Sequence, residues 1–367
     1  MFNLAVIGCG HWGPNHVRVF NSLKESAVLA VADPDPKRLE RIREAFPSIR
    51  CEHDYKHVLR DPGIDAVVIA TPTGTHYPLV RESLLAGKHV LCEKPLCEDP
   101  AQARELSDLA DDRGRTLMVG HVFLFNPGIV KAKEIVDAGE LGDVRYLSAV
   151  RTNLGPIRSD VNAAYDLAAH DISIFNWLLN AVPEVVSATG ASYIRPGVED
   201  VVSLSLRYPR NVLATILVSW LDPRKVRQIT VVGSRKMVTW DDLNPVSPVA
   251  VYDKGAGTAA EYSDFAEFLR LSMWDRDITM PKVEFGEPLR LQAAEFLGAV
   301  QRGHVERSDG QFAVGVVRVL KAALSSLREN GLPVRVRSVD PKTASIEASR
   351  TSASTGGLRR ERVSVAP

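Results

Sequence analysis

Cysteine is scarce in this 367-residue chain: Cys9, Cys51, Cys92 and Cys97 are the only four. They are too few for a disulfide scaffold, and none stands in a CxxC pair, which argues against thioredoxin-type or zinc chemistry and leaves no metal site to expect. An excess of one charge is missing too, because Lys and Arg number 45 and Asp and Glu number 45. A nucleic-acid partner would call for a basic surplus. No apolar run approaches the roughly 18 residues of a membrane span. The first residues, Met1-Phe2-Asn3-Leu4, lack the basic region and apolar core of a secretory signal. The expectation is a soluble, cytoplasmic protein of about two domains that contacts neither nucleic acid nor membrane. Aromatic residues are absent from Pro341 to Pro367, where Ser, Thr, Ala, Gly and Arg dominate. Such a segment buries too little apolar surface to offset its ordering entropy, so 338–367 is expected to be disordered.

What is present begins with alternation. Apolar runs at 2–7, 28–32, 66–70, 89–92 and 116–119 have strand length, and helical stretches lie between them. Strand and helix in turn predict a doubly wound parallel α/β sheet over residues 1–122. The second half reads differently. Strands follow strands from 184 to 240, framed by helices at 127–138, 162–179, 288–302 and 310–330. This predicts an α+β domain over 123–337 with a large, mostly antiparallel sheet.

Gly8-Cys9-Gly10-His11-Trp12-Gly13 follows the first strand and opens a helix, and Asp33 ends the second strand 20 positions after Gly13. This is the dinucleotide fingerprint in its full context. Gly8 permits the turn, Gly10 admits the backbone to a pyrophosphate, and Gly13 lets the helix pack on the sheet. The helix N-terminus offers unpaired N–H groups to phosphate. Asp33 suits a ribose 2′-hydroxyl and selects NAD; Lys37 and Arg38 leave NADP open.

Two further features suggest chemistry. Glu93-Lys94-Pro95 directly follows a core strand, at the edge where open α/β sheets bind ligands. A lysine there can stabilise an alkoxide. Asp166 and His170 stand four apart on an expected helix, so they share a face. That arrangement suits an aspartate orienting a histidine base, though such pairs are also common as structure. His11 lies near the phosphate loop, and His76 follows the third strand, where it would face the nicotinamide end.

In order along the chain, the glycine fingerprint, Asp33, Thr71-Pro72-Thr73-Gly74-Thr75-His76, Glu93-Lys94-Pro95 and Asp166-x-x-x-His170 resemble the glucose–fructose oxidoreductase / inositol dehydrogenase / MocA family over about residues 1–335. The resemblance implies Lys94 and His170 in catalysis, with Asp166 orienting. It implies a nicotinamide cofactor held by Gly8, Gly10, His11, Trp12, Gly13, Asp33, Arg38, Thr71, Pro72, His76, Glu93 and Lys94. It also implies a homodimer or homotetramer through the large sheet. Two stretches, Gly8 to Asn15 and Asn153 to Asn162, are similar to the UDP-N-acetylglucosamine 3-dehydrogenase branch. That likeness implies oxidation of C3 of a UDP-linked amino sugar, with an aminotransferase as a downstream partner. Arg151, Asn153, Arg158, Asn162 and Tyr165 then become candidate substrate ligands. The alternatives are a free-sugar or inositol dehydrogenase, a ketosugar reductase, and a non-catalytic NAD(H) sensor.

Overall fold

The computed structural model describes residues 1–158, 161–256 and 273–337. The segment expected to be disordered, 338–367, lies outside them.

Six short apolar strands build the first sheet: β1 (Phe2–Ile7), β2 (Ser26–Ala32), β3 (Arg50–Glu52), β4 (Ala66–Ile69), β5 (His89–Glu93) and β6 (Leu117–Gly120). They run parallel in the order β3-β2-β1-β4-β5-β6, the doubly wound order with its switch point between β1 and β4. Every residue of β4 is buried, as a strand covered on both faces requires. Five helices cross between the strands: α1 (Gly13–Asn21), α2 (Pro36–Ala45), α3 (Tyr55–Arg60), α4 (His76–Leu85) and α5 (Pro100–Asp112). Asp35, Asp54 and Asp99 cap α2, α3 and α5 with their carboxylates. The short β3 and α3 escape the sequence reading.

After α6 (Pro127–Asp137) come β7 (Val144–Leu154) and a π-helical turn at Ala164–Ala168, which runs into α7 (Ala169–Leu179). The second sheet then fills with β8 (Val185–Ala191), β9 (Val201–Tyr208), β10 (Val212–Ser219), β11 (Leu221–Gly233), β12 (Met237–Asp241), β13 (Val249–Ala256) and β14 (Met273–Thr279). Two more helices, α8 (Pro288–Arg302) and α9 (Gly310–Arg328), precede the edge strand β15 (Val334–Arg335). The nine strands order as β14-β13-β12-β11-β7-β10-β9-β8-β15. All pairs are antiparallel except β7 with β10. In β10, buried Val212, Ala214, Ile216 and Val218 alternate with exposed Leu213, Thr215 and Leu217, so one face packs on helices and the other is open.

The helix α9 joins the two halves. Ala313, Val314 and Val317 complete the core on one face of the first sheet, whereas Val316, Val319, Leu320 and Ala323 belong to the core beneath the second. Just before it, Ser308 and Asp309 pair with the outer edge of β6. The edge is thereby covered. Residues Met1–Val336 form one compact unit. By length and composition α9 is apolar enough to cross a membrane, which corrects the sequence expectation that no run approaches that length. It is a largely buried core helix that carries Arg318 and Lys321.

Candidate active site

The glycine fingerprint folds as steric necessity dictates. Gly8 has φ +96°, and a Cβ on Gly13 would lie 2.1 Å from the Gly8 carbonyl oxygen. Neither position accepts a side chain. At Gly10 the nearest atom to an added Cβ is Arg38 Nη1, 3.9 Å away, so the backbone there is open to a ligand. Among the described residues no side chain caps α1, whose first turn contains no acidic residue. Its free N–H groups and open glycine edge fit a diphosphate. Asp33 is buried beside them. Its Oδ2 accepts the Cys9 N–H at 2.7 Å, its Oδ1 accepts the Asp35 N–H at 2.9 Å, and Arg38 Nη1 lies 3.4 Å from Oδ2.

A cavity of about 780 Å³ collects Gly8, Gly10, His11, Trp12, Asp33, Arg38, Thr71, Pro72, Glu93 and Lys94, together with Pro156, Arg158 and Asp166. The Thr71–Thr75 turn along its wall is locked by the Thr75 hydroxyl, which is 2.8 Å from Thr71 Oγ1 and 2.7 Å from the Pro72 carbonyl. Glu93 is fixed from behind. Its Oε1 lies 2.8 Å from Nε2 of the buried His16, and its Oε2 accepts the Lys94 backbone N–H at 3.3 Å. The Lys94 ammonium donates to the Asp166 carbonyl at 2.7 Å and to Asp166 Oδ1 at 3.3 Å. Arg158 Nη1 and the Trp220 indole N–H hold the same carboxylate at 3.1 and 3.3 Å. Burial pushes the Asp166 pKa up, and the charges of Lys94 and Arg158 more than reverse it, leaving the group below its ordinary value.

A second cavity of about 810 Å³ shares His11 and Trp12 with the first and contains His170. Phe123, Asn126, Arg151, Arg227, Trp240 and Asp242 also line it. The His170 ring meets Phe123 edge-on at 4.9 Å. Its Nδ1 is enclosed without a partner among the described residues, which leaves Nε2 as the nitrogen a substrate can reach. Burial, followed by the charges of Lys94, Arg151 and Arg227, holds its pKa well below the ordinary histidine value. His170 is therefore neutral near pH 7, the form in which it can take a proton.

The chain has known relatives. Residues 2–121 match the model of an oxidoreductase family with an NAD-binding Rossmann fold, and residues 129–239 match the GFO/IDH/MocA C-terminal domain. The chain belongs to the GFO/IDH/MocA oxidoreductases. It is 27% identical to inositol 2-dehydrogenase of Rhizobium meliloti, over 88% of this chain and 96% of that protein. It is 29% identical to UDP-N-acetylglucosamine 3-dehydrogenase of Acidithiobacillus ferrooxidans, over 69% of this chain and 77% of that one. Among solved structures, GenD2 from gentamicin A biosynthesis, in complex with NAD, superposes with a TM-score of 0.77 at 25% identity, covering 92% of this chain and 97% of that one.

Several sequence expectations need correction in this GFO/IDH/MocA member. Asp166 does not orient His170. It lies in the π-helical turn, and its carboxylate is engaged by Lys94, Arg158 and Trp220 instead. Arg151 lines the second cavity, but the residue is only 2% exposed and its guanidinium forms a bidentate pair with Asp171 at 2.9 and 2.8 Å. It is not available to grip a phosphate. Asn153 donates to the Gly155 carbonyl at 2.6 Å. Asn162 bonds Glu199 and the Tyr165 N–H, and the buried Tyr165 hydroxyl reaches the Glu98 carbonyl. These three brace the 151–165 segment and line neither cavity. His76 is buried, with its ring nitrogens 2.8 Å from the Pro95 carbonyl and 2.9 Å from that of Thr71. It ties two loops together and does not face the cofactor cavity. Conversely, Phe123, Asn126, Arg227, Trp240 and Asp242 went unremarked in the sequence. They converge from separate elements and share no motif.

The Asp33–Arg38 contact sets a test of cofactor choice. Asp33→Asn keeps an acceptor for the Cys9 N–H but removes the charge. NADH affinity is expected to fall about 10-fold, the worth of a hydrogen bond to a charged acceptor. NADPH affinity should fall less, because Arg38 is then released from its carboxylate. Fluorescence titration with both cofactors measures this, and an unchanged NADH affinity would remove Asp33 from the ribose site.

Proposed function

We propose that this chain is an NAD-dependent dehydrogenase that oxidises a secondary hydroxyl of a sugar or cyclic polyol. The observation that carries the reading is the junction of the two cavities, with the Lys94 ammonium fixed on one side and the neutral His170 on the other. The backbone at Gly10, the N-terminus of α1, Asp33 and the Thr71–Pro72 turn would hold the dinucleotide. Bound NAD supplies the acceptor for the hydride that leaves the carbinol carbon. His170 takes the hydroxyl proton through Nε2. Lys94 donates a hydrogen bond to the oxygen as negative charge grows on it. Asp166 acts through Lys94, holding its ammonium in place, while Glu93 and His16 fix the backbone that carries it.

For the substrate, the first candidate is C3 of the sugar in UDP-N-acetylglucosamine. It is supported by the Asn153–Asn162 stretch and by the 29% identical dehydrogenase of that specificity. A second reading, a free sugar or cyclitol, is favoured by charge pairing around the second cavity. Arg151 pairs with Asp171, Arg227 with Asp242, and Arg18 with Glu287 at the rim. A diphosphate would find no uncompensated guanidinium among these three. The open face of the second sheet, with Tyr146, Leu213 and Leu217 turned outward, is the surface for a homodimer or homotetramer. The test is NADH formation with UDP-N-acetylglucosamine, N-acetylglucosamine, glucose and myo-inositol, in the presence of a ketone trap. Turnover of the nucleotide sugar alone selects the first reading, and turnover of the free polyols alone selects the second. Tight NADH binding with no turnover on any of them would leave a cofactor sensor.

A further inference from the structure

One wall of the His170 cavity is built from polar groups that the reaction above does not use. Arg227, on β11, donates to one oxygen of Asp242. The other oxygen accepts the side-chain N–H of Asn126 at 2.9 Å. The Asp242 backbone N–H in turn donates to the Arg227 carbonyl at 3.0 Å. Asn126 cannot turn freely, since its own oxygen caps α6 through the Gly128 N–H at 2.9 Å. The Arg227 guanidinium lies 4.9 Å from the centre of the Phe123 ring, and His170 touches the same ring at 4.9 Å. The wall therefore stands one aromatic ring away from the base.

Its hydrogen-bonding capacity is not used up. A carboxylate offers about four lone-pair sites and a guanidinium five N–H groups. Asp242 accepts two side-chain bonds, and Arg227 makes its side-chain bond to Asp242 while its Nε is enclosed without a partner among the described residues. Acceptor and donor thus stand side by side with zero net charge between them. That is the complement of a hydroxyl group, which donates and accepts at once, rather than of an anion.

We propose that Arg227, Asp242 and Asn126 form a hydroxyl-reading subsite for the neighbour of the hydroxyl that is oxidised, so that the preferred ring is neutral and carries a vicinal diol. The inference rests on the dehydrogenase reading and deepens it. Asp242 accepts from the second hydroxyl, Arg227 donates to it, and Asn126 keeps the carboxylate in register. The subsite serves a sugar ring whether or not a nucleotide is attached to it.

The test uses the full chain loaded with NADH, so that sugar binding is read without turnover. Glucose, myo-inositol and UDP-N-acetylglucosamine are each titrated beside an analogue lacking one ring hydroxyl next to the reacting position. Calorimetry or saturation-transfer NMR gives the affinities for wild type, Asp242→Asn and Arg227→Gln. Wild type is expected to prefer the complete ring, and each variant to lose about 10–100-fold of that affinity. The deoxy analogue should bind wild type and variants alike, so the discrimination collapses. NADH affinity and thermal midpoint establish that each variant is folded, and if one is not, the other carries the test. Variants that weaken both members of a pair equally, or neither, overturn the subsite while leaving the dehydrogenase reading intact. A wild type that binds NADH but no ring in the panel overturns the dehydrogenase reading, and the subsite with it.

Discussion

Lys94→Ala is expected to lower turnover by about 10²–10³-fold, the loss seen when one oxyanion donor is removed, while NADH binds as it does to wild type. Lys94 follows β5 directly, and its side chain is only 10% exposed. Two bonds to Asp166 aim it into the cofactor cavity. The dinucleotide contacts, by contrast, are carried by the glycine edge, the α1 terminus and Asp33. The two properties should therefore separate. Lys94→Arg is not expected to rescue, because a planar fork does not replace a compact ammonium in a niche that Asp166 and Glu93 already define. Steady-state rates beside a fluorescence titration with NADH decide the matter. Near-wild-type turnover in the alanine variant would remove Lys94 from the mechanism.

His170→Ala is the second large effect, with an expected loss of about 10²–10⁴-fold for a general base. It also carries a pH signature. The active form is the neutral imidazole, so activity is present above the folded-state pKa and is lost as pH falls through it. Burial and three nearby cations hold that pKa well below the ordinary 6.5. The acid limb of the rate profile should accordingly lie below pH 6.5, with no inflection between 6.5 and 8 from this group. A wild-type acid limb above pH 6.5 would contradict the neutral-base assignment, whatever the alanine variant does.

The first half of the chain was largely legible because its functional groups sit at the ends of strands in contiguous words. Glycine turn, Asp33 and Glu93-Lys94-Pro95 each occupy a few consecutive residues, and strand–helix alternation places them at one edge of the sheet. The second half was legible in kind but not in arrangement. Strand-like runs flanking the turn at Arg207–Asn211 announced β9 and β10, yet nothing local says that β10 lies parallel to β7, since that pairing joins residues far apart in sequence. The sequence reading also stopped short of β13, β14 and β15. At the site, the error over Asp166 came from taking a shared helix face for a pairing, when Lys94, Arg158 and Trp220 from other elements claim the carboxylate. Polarity misled in the 151–165 segment, where Asn153, Asn162 and Tyr165 satisfy backbone and neighbouring groups. Phe123, Arg227 and Asp242 are drawn from a connecting turn, a strand and a loop, and only the folded chain assembles them.

The double allegiance of α9 has a bearing on how the protein is made. Ala313, Val314 and Val317 fill part of the core of a sheet whose last strand ends at Gly120. Ser308 and Asp309 close that sheet's open edge. During synthesis, the first six strands leave the ribosome well before the helix that finishes them, and meanwhile they present an apolar socket and a bare strand edge. Such surfaces attract chaperones and mispairing. The cofactor half should therefore reach full protease resistance only after residue 317 has emerged, and nascent chains arrested before that point should be cut within 1–120 by a protease that spares the finished protein.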